Sequence, residues 1–203
     1  MIIVDSPGTR PRIEPAPAEQ VQPLVASLLG GHSTLTGSAA AHLAAKPVPN
    51  VLATIGNHPD LLTSLTPLLA AISTGLLPAR DRALVILRVS WQQRARYEWA
   101  HHVAIGRSAA VTEQDLARIA AGPDAAGWSV FDAALMRAVD ELRGQQATVS
   151  DQTWQQLASQ YDQRQLLELL ALIGTYTMVA HILNSCGVRI DDWLANPATL
   201  PRP

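Results

Sequence analysis

Cysteine is nearly missing from this 203-residue chain, because Cys186 is its single thiol. One cysteine excludes an intramolecular disulfide, a redox-active CxxC pair and a cysteine-rich zinc site. Thiol relay chemistry within one chain is excluded for the same reason.

An excess of charge of one sign is also lacking. Fifteen Lys and Arg residues stand against 17 Asp and Glu residues, which gives a formal net charge of -2. Proteins that bind nucleic acid or an anionic membrane usually carry a basic patch. We therefore expect neither nucleic acid nor membrane as a partner, and instead a small-molecule substrate and other protein chains.

Neither a long unbroken apolar run nor a secretory leader is evident. The longest apolar helical run, 166–183, is interrupted by Glu168 and His181. Residues 1–17 contain Asp5 and four prolines, where a signal peptide needs a basic start and an apolar core. These features predict a soluble, cytoplasmic protein.

Hydrophobic residues recur at helical spacing almost everywhere, and no alternating stretch is bounded by hairpin turns. The length suits one domain, so we predict a single all-α domain over residues 1–203. Residues 1–16 are expected to form an extended arm and 191–203 an extended tail. Residues 1–5 could be a short strand, and 32–49 either a weak helix or a loop.

Local signals place the predicted helices. Apolar periodicity, capping pairs and breakers predict helices at 17–29, 58–75, 78–92, 94–106, from 112, 131–143, from 150, and 162–184. The segment 83–89 is apolar nearly all round, which indicates a helix buried on several sides. Within it, Arg88 is better explained as an internal ion pair between helices than as a substrate ligand.

The segment 94–102 says most about function. On a helix, Glu98 and His102 share one face, one turn apart. Tyr97 and Trp99 can exclude water, and Arg94 is expected one turn before Glu98. This spacing predicts a carboxylate, an imidazole and a guanidinium that converge on an acid/base pocket.

A histidine beside a carboxylate is the minimal proton-transfer device, because imidazole titrates near neutral pH and the carboxylate can fix its tautomer. Desolvation would raise the pKa of Glu98 and lower that of His102, while their mutual attraction would oppose both shifts. Which of the two holds the proton stays open at this point. The competing interpretation is a surface pair that contributes about 0.2 to 0.5 kcal/mol.

A second polar pattern lies on the predicted final helix, where Thr177, His181 and Asn184 are spaced four and three residues apart. These side chains could line a pocket opposite the Glu98 helix, meet the same stripe of another subunit, or be satisfied in the core. His101 points about 100 degrees away from His102 and is interpreted as structural or interfacial. A metal site of His102, Glu98 and His181 lacks a tight ligand cluster in sequence, so we expect no metal and no cofactor.

Residues 78–187 resemble the carboxymuconolactone decarboxylase family, part of the alkylhydroperoxidase D-like superfamily. The resemblance lies in the apolar 84–89 helix, in the E-W-x-x-H motif from Glu98 to His102, and in Val111-Thr112 at the start of the next helix. Downstream segments resemble a longer branch of that family. The resemblance implies an all-α, alkylhydroperoxidase D-like helical bundle that assembles as trimers or hexamers, with its site near the E-W-x-x-H helix.

The chain departs from the superfamily's peroxidases at three places. Those enzymes have a CxxC pair with a histidine four residues after the second cysteine, and the corresponding residues here are Ala95 and Glu98. Their relay glutamate, twelve residues before the first cysteine, corresponds to Ala83. Without these thiols, peroxidase activity is not expected.

The resemblance implies a cofactor-free lyase or isomerase that moves a proton on a small carbonyl acid or lactone. Glu98 and His102 would be catalytic, and the expected substrate-binding residues are Arg94, Tyr97, Trp99, His181 and Asn184. The alternative is a non-catalytic small-molecule-binding or structural oligomeric protein on the same fold.

Overall fold

The computed structural model describes residues 10–30 and 47–194, so the predictions for 1–5 and for most of 32–49 lie outside the described residues. All regular structure in these two ranges is α-helical, which confirms the all-α prediction. The helices are α1 (Ala18–Gly30), α2 (Asn50–Ile55), α3 (Pro59–Ser73), α4 (Ala79–Gln92), α5 (Arg96–Ser108), α6 (Glu113–Ala121), α7 (Val130–Arg143), α8 (Asp151–Ala158) and α9 (Gln163–Cys186).

Two of the predicted helix starts have complete capping boxes. The Thr112 hydroxyl accepts the Asp115 N–H at the start of α6, and the Asp115 carboxylate accepts the Thr112 N–H in return. Asp162 and Gln165 make the same reciprocal pair at the start of α9. Each box satisfies N–H groups that have no partner within the helix, which is why the sequence signal located these ends.

Helix α4 is the centre of the fold and packs against α5, α6, α7 and α9. Leu84, Val85 and Leu87 are fully buried along it. The expectation of a helix buried on several sides is therefore confirmed, and α4 fixes the positions of its neighbours through apolar contacts.

Arg88 is buried in this core and forms the predicted ion pair between helices. Its Nε and Nη2 donate to the two carboxylate oxygens of Asp140 on α7, at 2.8 and 2.6 Å, and its Nη1 donates to the Ile119 carbonyl at 2.6 Å. A bidentate pair with a third acceptor satisfies most of the guanidinium's donors. It ties α4 to α6 and α7.

Two features of the backbone were not predicted. Helix α2 begins at Asn50, whereas the sequence had suggested a weak helix or a loop over 32–49 and no helix between 50 and 57. The extended tail predicted from residue 191 is wrong for 191–194, because this segment forms a turn with Asp191 only 3% exposed. Residues beyond 194 lie outside the described part of the chain.

Helix α9 is by length and composition apolar enough to cross a membrane, with a mean hydropathy of 1.8 in its most apolar window. Half of that window is buried inside the protein. It packs on α3, α4, α5 and α8, as the core helix of a soluble protein does.

Replacing Asp140 by Ala would leave the Arg88 charge buried without its carboxylate. We expect Asp140→Ala to lower the free energy of unfolding by about 3 to 5 kcal/mol, measured by urea denaturation. The matched control is Asp124→Ala, which removes an exposed ion pair with Arg137 and should cost at most about 1 kcal/mol. Equal, small losses in both variants would show that Arg88 does not hold the helices together.

Candidate active site

Helix α5 presents the E-W-x-x-H motif, but it begins later than predicted. Arg94 has a backbone φ of 55° and is exposed, so it lies in the turn before the helix, which starts at Arg96. The prediction that Arg94 lies on the same helix, one turn before Glu98, is wrong. Because Arg94 adopts this left-handed backbone conformation, the chain changes direction between α4 and α5. The apolar periodicity of the sequence does not reveal such a turn.

Glu98 and His102 both lie on the inner side of α5. Glu98 is 3% exposed, and neither carboxyl oxygen has a hydrogen-bond partner among the described residues. His102 is partly buried as a residue, but its Nδ1 is inaccessible and also has no partner. The expected hydrogen bond from the carboxylate to the imidazole is therefore not made, and three buried polar atoms remain unsatisfied.

Burial sets the protonation states of this pair. It raises the pKa of Glu98 well above its ordinary value, because the anion would be desolvated without compensation. It lowers the pKa of His102 to about 3, and the neighbouring His101 adds to the shift. Burial therefore favours the carboxylic acid form of Glu98, which can donate a proton, and the neutral imidazole form of His102, which can accept one.

Tyr176 of α9 closes the site from the opposite side. Its ring packs against the His102 ring edge to face, with centroids 5.1 Å apart, and the residue is 7% exposed. Burial and the nearby Glu98 raise the pKa of Tyr176 to about 12, while Ser73 and Arg82 act in the opposite direction. A phenol, a carboxylic acid and an imidazole thus meet where α3, α4, α5 and α9 come together.

The neighbouring face of α5 carries a second group of polar residues, and this one is fully paired. Tyr97 and His101 both bond to the same Asp191 oxygen, Oδ2, at 2.6 and 2.7 Å. The other oxygen of Asp191 accepts the Asn50 backbone N–H at 2.8 Å. This network attaches α2 and the segment after α9 to α5.

The hydrogen bonds in this network control the ionisation of Asp191. Burial alone would raise its pKa, but the bonds from His101, Tyr97 and the Asn50 N–H outweigh burial, so the pKa of Asp191 is lowered. Trp193 packs edge to face on His101, with ring centroids 5.3 Å apart. The interpretation of His101 as structural agrees with this geometry.

Sequence reasoning missed Asp191, which is 90 or more residues from its side-chain partners in the chain. No short-range spacing links them. Nothing in the local sequence singles out Asp191 either, because the neighbouring Arg189 and Asp192 are also charged.

The residues expected to bind substrate are not all gathered at Glu98. The Tyr97 hydroxyl donates its hydrogen bond to Asp191. The Trp99 ring packs against Trp91 in the main core, with ring centroids 5.4 Å apart. Both side chains are buried, so they can wall off water as expected, but neither offers a free polar atom toward Glu98.

His181 and Asn184 are exposed on α9, so they do not line a pocket within one chain. The Asn184 amide donates to the Gln93 carbonyl at 2.8 Å and thus braces the turn before α5. Of the alternatives for this stripe, a contact with another subunit is the one that the exposure of His181 favours.

Residues 10–30 and 47–194 contain no assembled site for metal or thiol chemistry. No group of three His, Cys, Asp or Glu side chains there could hold a metal ion. Cys186 is a free, partly buried thiol at the end of α9. The absence of a metal or cofactor from the function stays a prediction.

The raised pKa of Glu98 has a consequence for stability. The unfolded chain loses this proton near pH 4.5, whereas the folded chain keeps it up to the raised pKa. The free energy of unfolding therefore falls as pH rises from 4.5 to the raised pKa of the folded protein, and it stays lower at higher pH. Glu98→Gln avoids this loss. At pH 4 we expect this variant to have the wild-type Tm. At pH 7.5 we expect a higher Tm, by up to about 3 to 6 °C for each unit by which the folded pKa of Glu98 exceeds 4.5.

Differential scanning calorimetry at both pH values measures this difference. Glu113→Gln serves as the control, because Glu113 is exposed and paired only with Arg107. A destabilised Glu98→Gln variant at pH 7.5 would mean that the carboxylate is ionised and paired, against the burial described above.

Comparisons with known proteins agree with this fold. The family model described as "Carboxymuconolactone decarboxylase family" matches residues 59–141, which run from α3 into α7 and include the E-W-x-x-H motif. The match starts earlier than the resemblance at 78–187 and does not extend over α8 and α9. A comparison with curated proteins finds no match.

Several solved structures share this fold over two thirds or more of the chain at low sequence identity. A peroxidase-related protein from Ralstonia eutropha with an alkylhydroperoxidase core has a TM-score of 0.71 at 17% identity, over 91% of this chain and 95% of its own. A debrominase in complex with 2,3,4-tribromopyrrole has a TM-score of 0.68 at 17% identity, over 93% and 95%. A protein of unknown function from Agrobacterium tumefaciens has a TM-score of 0.61 at 16% identity, over 68% and 94%.

These structures establish the fold. Identities this low carry no information on the substrate of this chain. The family match and the structural neighbours confirm the resemblance read from the sequence. The model of the carboxymuconolactone decarboxylase family thus matches residues 59–141, and the described part of the chain has the fold of the solved alkylhydroperoxidase D-like helical proteins.

Proposed function

We propose that this protein is a cofactor-free lyase or isomerase that transfers a proton on a small carbonyl acid or lactone, with Glu98 as acid and His102 as base. The observation that carries the proposal is the set of three buried, unpaired polar atoms: both carboxyl oxygens of Glu98 and Nδ1 of His102. Leaving such atoms without a partner costs about 1 to 3 kcal/mol each. Unsatisfied, strongly shifted groups of this kind cluster at functional sites.

The protonation states suit one direction of transfer. His102, neutral down to about pH 3, takes a proton from the carbon next to the substrate carbonyl. Glu98, still protonated, gives its proton to the carbonyl oxygen, so the substrate becomes a neutral enol while His102 becomes an imidazolium and Glu98 a carboxylate, two opposite charges one helical turn apart. Return of a proton to a different carbon gives an isomer. When the carbon–carbon bond to a carboxylate breaks instead, carbon dioxide leaves, the electron pair of that bond forms the enolate, and the enolate oxygen takes the Glu98 proton to give an enol.

Tyr176 and Trp99 support this chemistry by excluding water. The Tyr176 phenol can also donate a hydrogen bond to the substrate oxygen, a role that the sequence had given to Arg94. The debrominase neighbour holds a small, flat, brominated ring. A lactone ring is of similar size, which is consistent with a compact substrate here.

The proposed oligomer rests on the family resemblance, and the other proposed partners and the location rest on the charge balance and the N-terminal sequence. We propose a homo-oligomer, a trimer or a hexamer, that acts on a small molecule in the cytoplasm and contacts neither nucleic acid nor membrane. Subunit contacts near α5 would complete the cover over the Glu98 site.

A substrate panel tests the proposal. Lactones and beta-keto acids are incubated with the protein in heavy water, and carbon dioxide release and deuterium incorporation are followed by proton NMR. His102→Ala and Glu98→Gln should each lower turnover by about 100-fold or more, because each removes one end of the proton transfer. Glu113→Gln, on the surface, should keep full turnover. Unchanged turnover in either site variant would refute the assignment.

The pH dependence gives a separate prediction. Activity needs neutral His102, so kcat/KM should fall only as pH approaches about 3. It also needs protonated Glu98, so kcat/KM should fall again on the alkaline side, above the raised pKa of that group. A profile that rises through pH 6 to 7 would instead indicate a base with an ordinary histidine pKa, and would contradict the assignment of His102.

The alternative is a non-catalytic small-molecule-binding or structural protein on the same scaffold. It would be favoured if the wild-type protein bound members of the panel without turnover or exchange. The same unpaired atoms would then serve as ligand contacts. Thiol peroxidase chemistry has no support, because Ala95 and Ala83 are small buried residues where that chemistry needs a thiol and a carboxylate.

A further inference from the structure

Arg82, in the first turn of α4, is a partly buried cation that has no carboxylate partner in the described part of the chain. The other described arginines that are buried or partly buried all form an ion pair with an Asp or Glu: Arg80, Arg88, Arg118 and Arg137. A charge that loses solvation without gaining a counter-ion is unfavourable. The unpaired guanidinium therefore indicates a place for an anion from outside the chain.

Two carboxylates lie near Arg82 along the chain or in the fold, and both bind other groups. Asp81, the preceding residue, accepts the Tyr161 hydroxyl at 2.7 Å. Glu168 of α9 accepts two backbone N–H groups of the loop 74–78, at 2.8 and 3.1 Å. Neither carboxylate forms an ion pair with Arg82, so the protein does not neutralise this charge by direct contact.

The guanidinium of Arg82 is fixed in place but keeps free donors. Its Nη1 donates to the Leu77 carbonyl at 2.6 Å, which is its one hydrogen bond to the described residues. Nε and Nη2 lie along another edge of the planar group, and this edge is the fork that binds both oxygens of a carboxylate. A fixed guanidinium with an unused fork is suited to recognise a carboxylate on a ligand.

Arg82 and Tyr176 are both attached to the end of α3 and the loop that follows it. Ser73, the last residue of α3, hydrogen-bonds to the Tyr176 hydroxyl. Leu77, four residues later, binds the Arg82 guanidinium. The guanidinium is thus close enough to the phenol for its positive charge to act on Tyr176.

Tyr176 in turn connects Arg82 to the acid and the base. Its ring packs on the His102 ring, and the Glu98 carboxyl group also acts on its hydroxyl. Arg82 is partly exposed, whereas Glu98 is 3% exposed. A ligand that extends from Arg82 to Glu98 would therefore place its anion near solvent and its neutral carbonyl in the dry interior.

We propose that Arg82 binds a carboxylate of the substrate through Nε and Nη2, and that it thereby selects anionic substrates for the Glu98 site. The inference rests on the proposed function for the reaction that follows, but the binding itself requires no turnover. The bound carboxylate is one that stays on the substrate. A guanidinium stabilises negative charge on it and so opposes its conversion to neutral carbon dioxide.

Two matched probes test this binding. Isothermal titration calorimetry compares a butyrolactone carboxylate with the corresponding butyrolactone carboxamide, which has the same shape without the charge. The wild-type protein should bind the carboxylate about 10- to 100-fold more tightly, because only the carboxylate forms charge-assisted hydrogen bonds with both donors of the fork. Equal affinities for the two probes, or no binding of either, would overturn the proposal.

Substitutions at position 82 test which group recognises the charge. Arg82→Gln should bind both probes equally. Arg82→Lys keeps the charge but not the fork, so its preference for the carboxylate should lie between those of Arg82→Gln and the wild-type protein. Arg164→Gln removes the same charge at an exposed position near the start of α9 and should keep the wild-type preference. A full preference in Arg82→Gln would assign the carboxylate to another group and overturn the proposal.

A brace for the loop 74–78 is the purely structural role open to Arg82. In that case Arg82→Gln would weaken both probes equally and lower Tm, and the proposal would be overturned. Loss of carboxylate affinity with unchanged carboxamide affinity supports the proposal. If Arg82→Gln does not fold, the wild-type comparison of the two probes and the Arg82→Lys variant decide the question.

Acetate separates a substrate pocket from a general anion site, because it has the carboxylate without the lactone ring. It should bind about 10-fold more weakly than the butyrolactone carboxylate, since it makes no contact with the inner part of the site. Acetate that binds as tightly as the butyrolactone carboxylate would show an anion site separate from Glu98 and would overturn the proposal.

Kinetics on the substrate panel distinguish this proposal from the proposed function. For substrates with a carboxylate that is retained, Arg82→Gln should raise KM by about 10- to 100-fold and change kcat little, whereas Glu98→Gln lowers turnover. Carboxylate binding that depends on Arg82 in a protein without turnover would keep the Arg82 site and refute the lyase or isomerase. Wild-type turnover with an unchanged KM in Arg82→Gln would keep the enzyme and overturn the role of Arg82.

Discussion

The burial of Glu98 and His102 without hydrogen-bond partners is the constraint on which the functional account depends. A carboxyl group in a dry site stays protonated and an imidazole stays neutral, because each charged form would lose its solvation. The two groups therefore sit one helical turn apart in opposite roles, a donor and an acceptor, at the same pH. An acid and a base that do not neutralise each other are what proton transfer on a neutral carbonyl compound requires.

The rest of the fold holds this arrangement in place. Residues 83–90 of α4 are buried, and Arg88 ties this helix to α6 and α7, so α5 packs on a helix that is held by several neighbours. On one face of α5, Tyr97 and His101 bond to Asp191, and on the next face the Glu98 carboxyl oxygens and His102 Nδ1 have no hydrogen-bond partner among the described residues. The same helix thus carries a structural polar cluster and one that we propose to be functional, and satisfaction of hydrogen bonds is what distinguishes them.

Much of the fold could be predicted from the sequence, because it depends on local signals. The capping pairs at Thr112 and Asp162, the all-round apolar pattern of 83–89 and the ion pair of Arg88 all follow from short-range chemistry or from burial. What could not be predicted depends on contacts between distant segments. Asp191 reaches α5 from the end of the chain, and Arg94 adopts a left-handed turn that removes it from the helix. Tyr176 lies on α9, and it reaches the Glu98 site only because α9 packs against α5.

The protonation state of Glu98 in the folded protein is the quantity to measure. Carbon-13 NMR of the labelled glutamate carboxyl groups, assigned by comparison with Glu98→Gln, follows this single group through a pH titration. We predict a carboxylic acid signal that persists at neutral pH, with a midpoint well above that of the exposed glutamates. A carboxylate signal with a midpoint near 4.5 would show that Glu98 is solvated or paired, and would contradict its role as the acid.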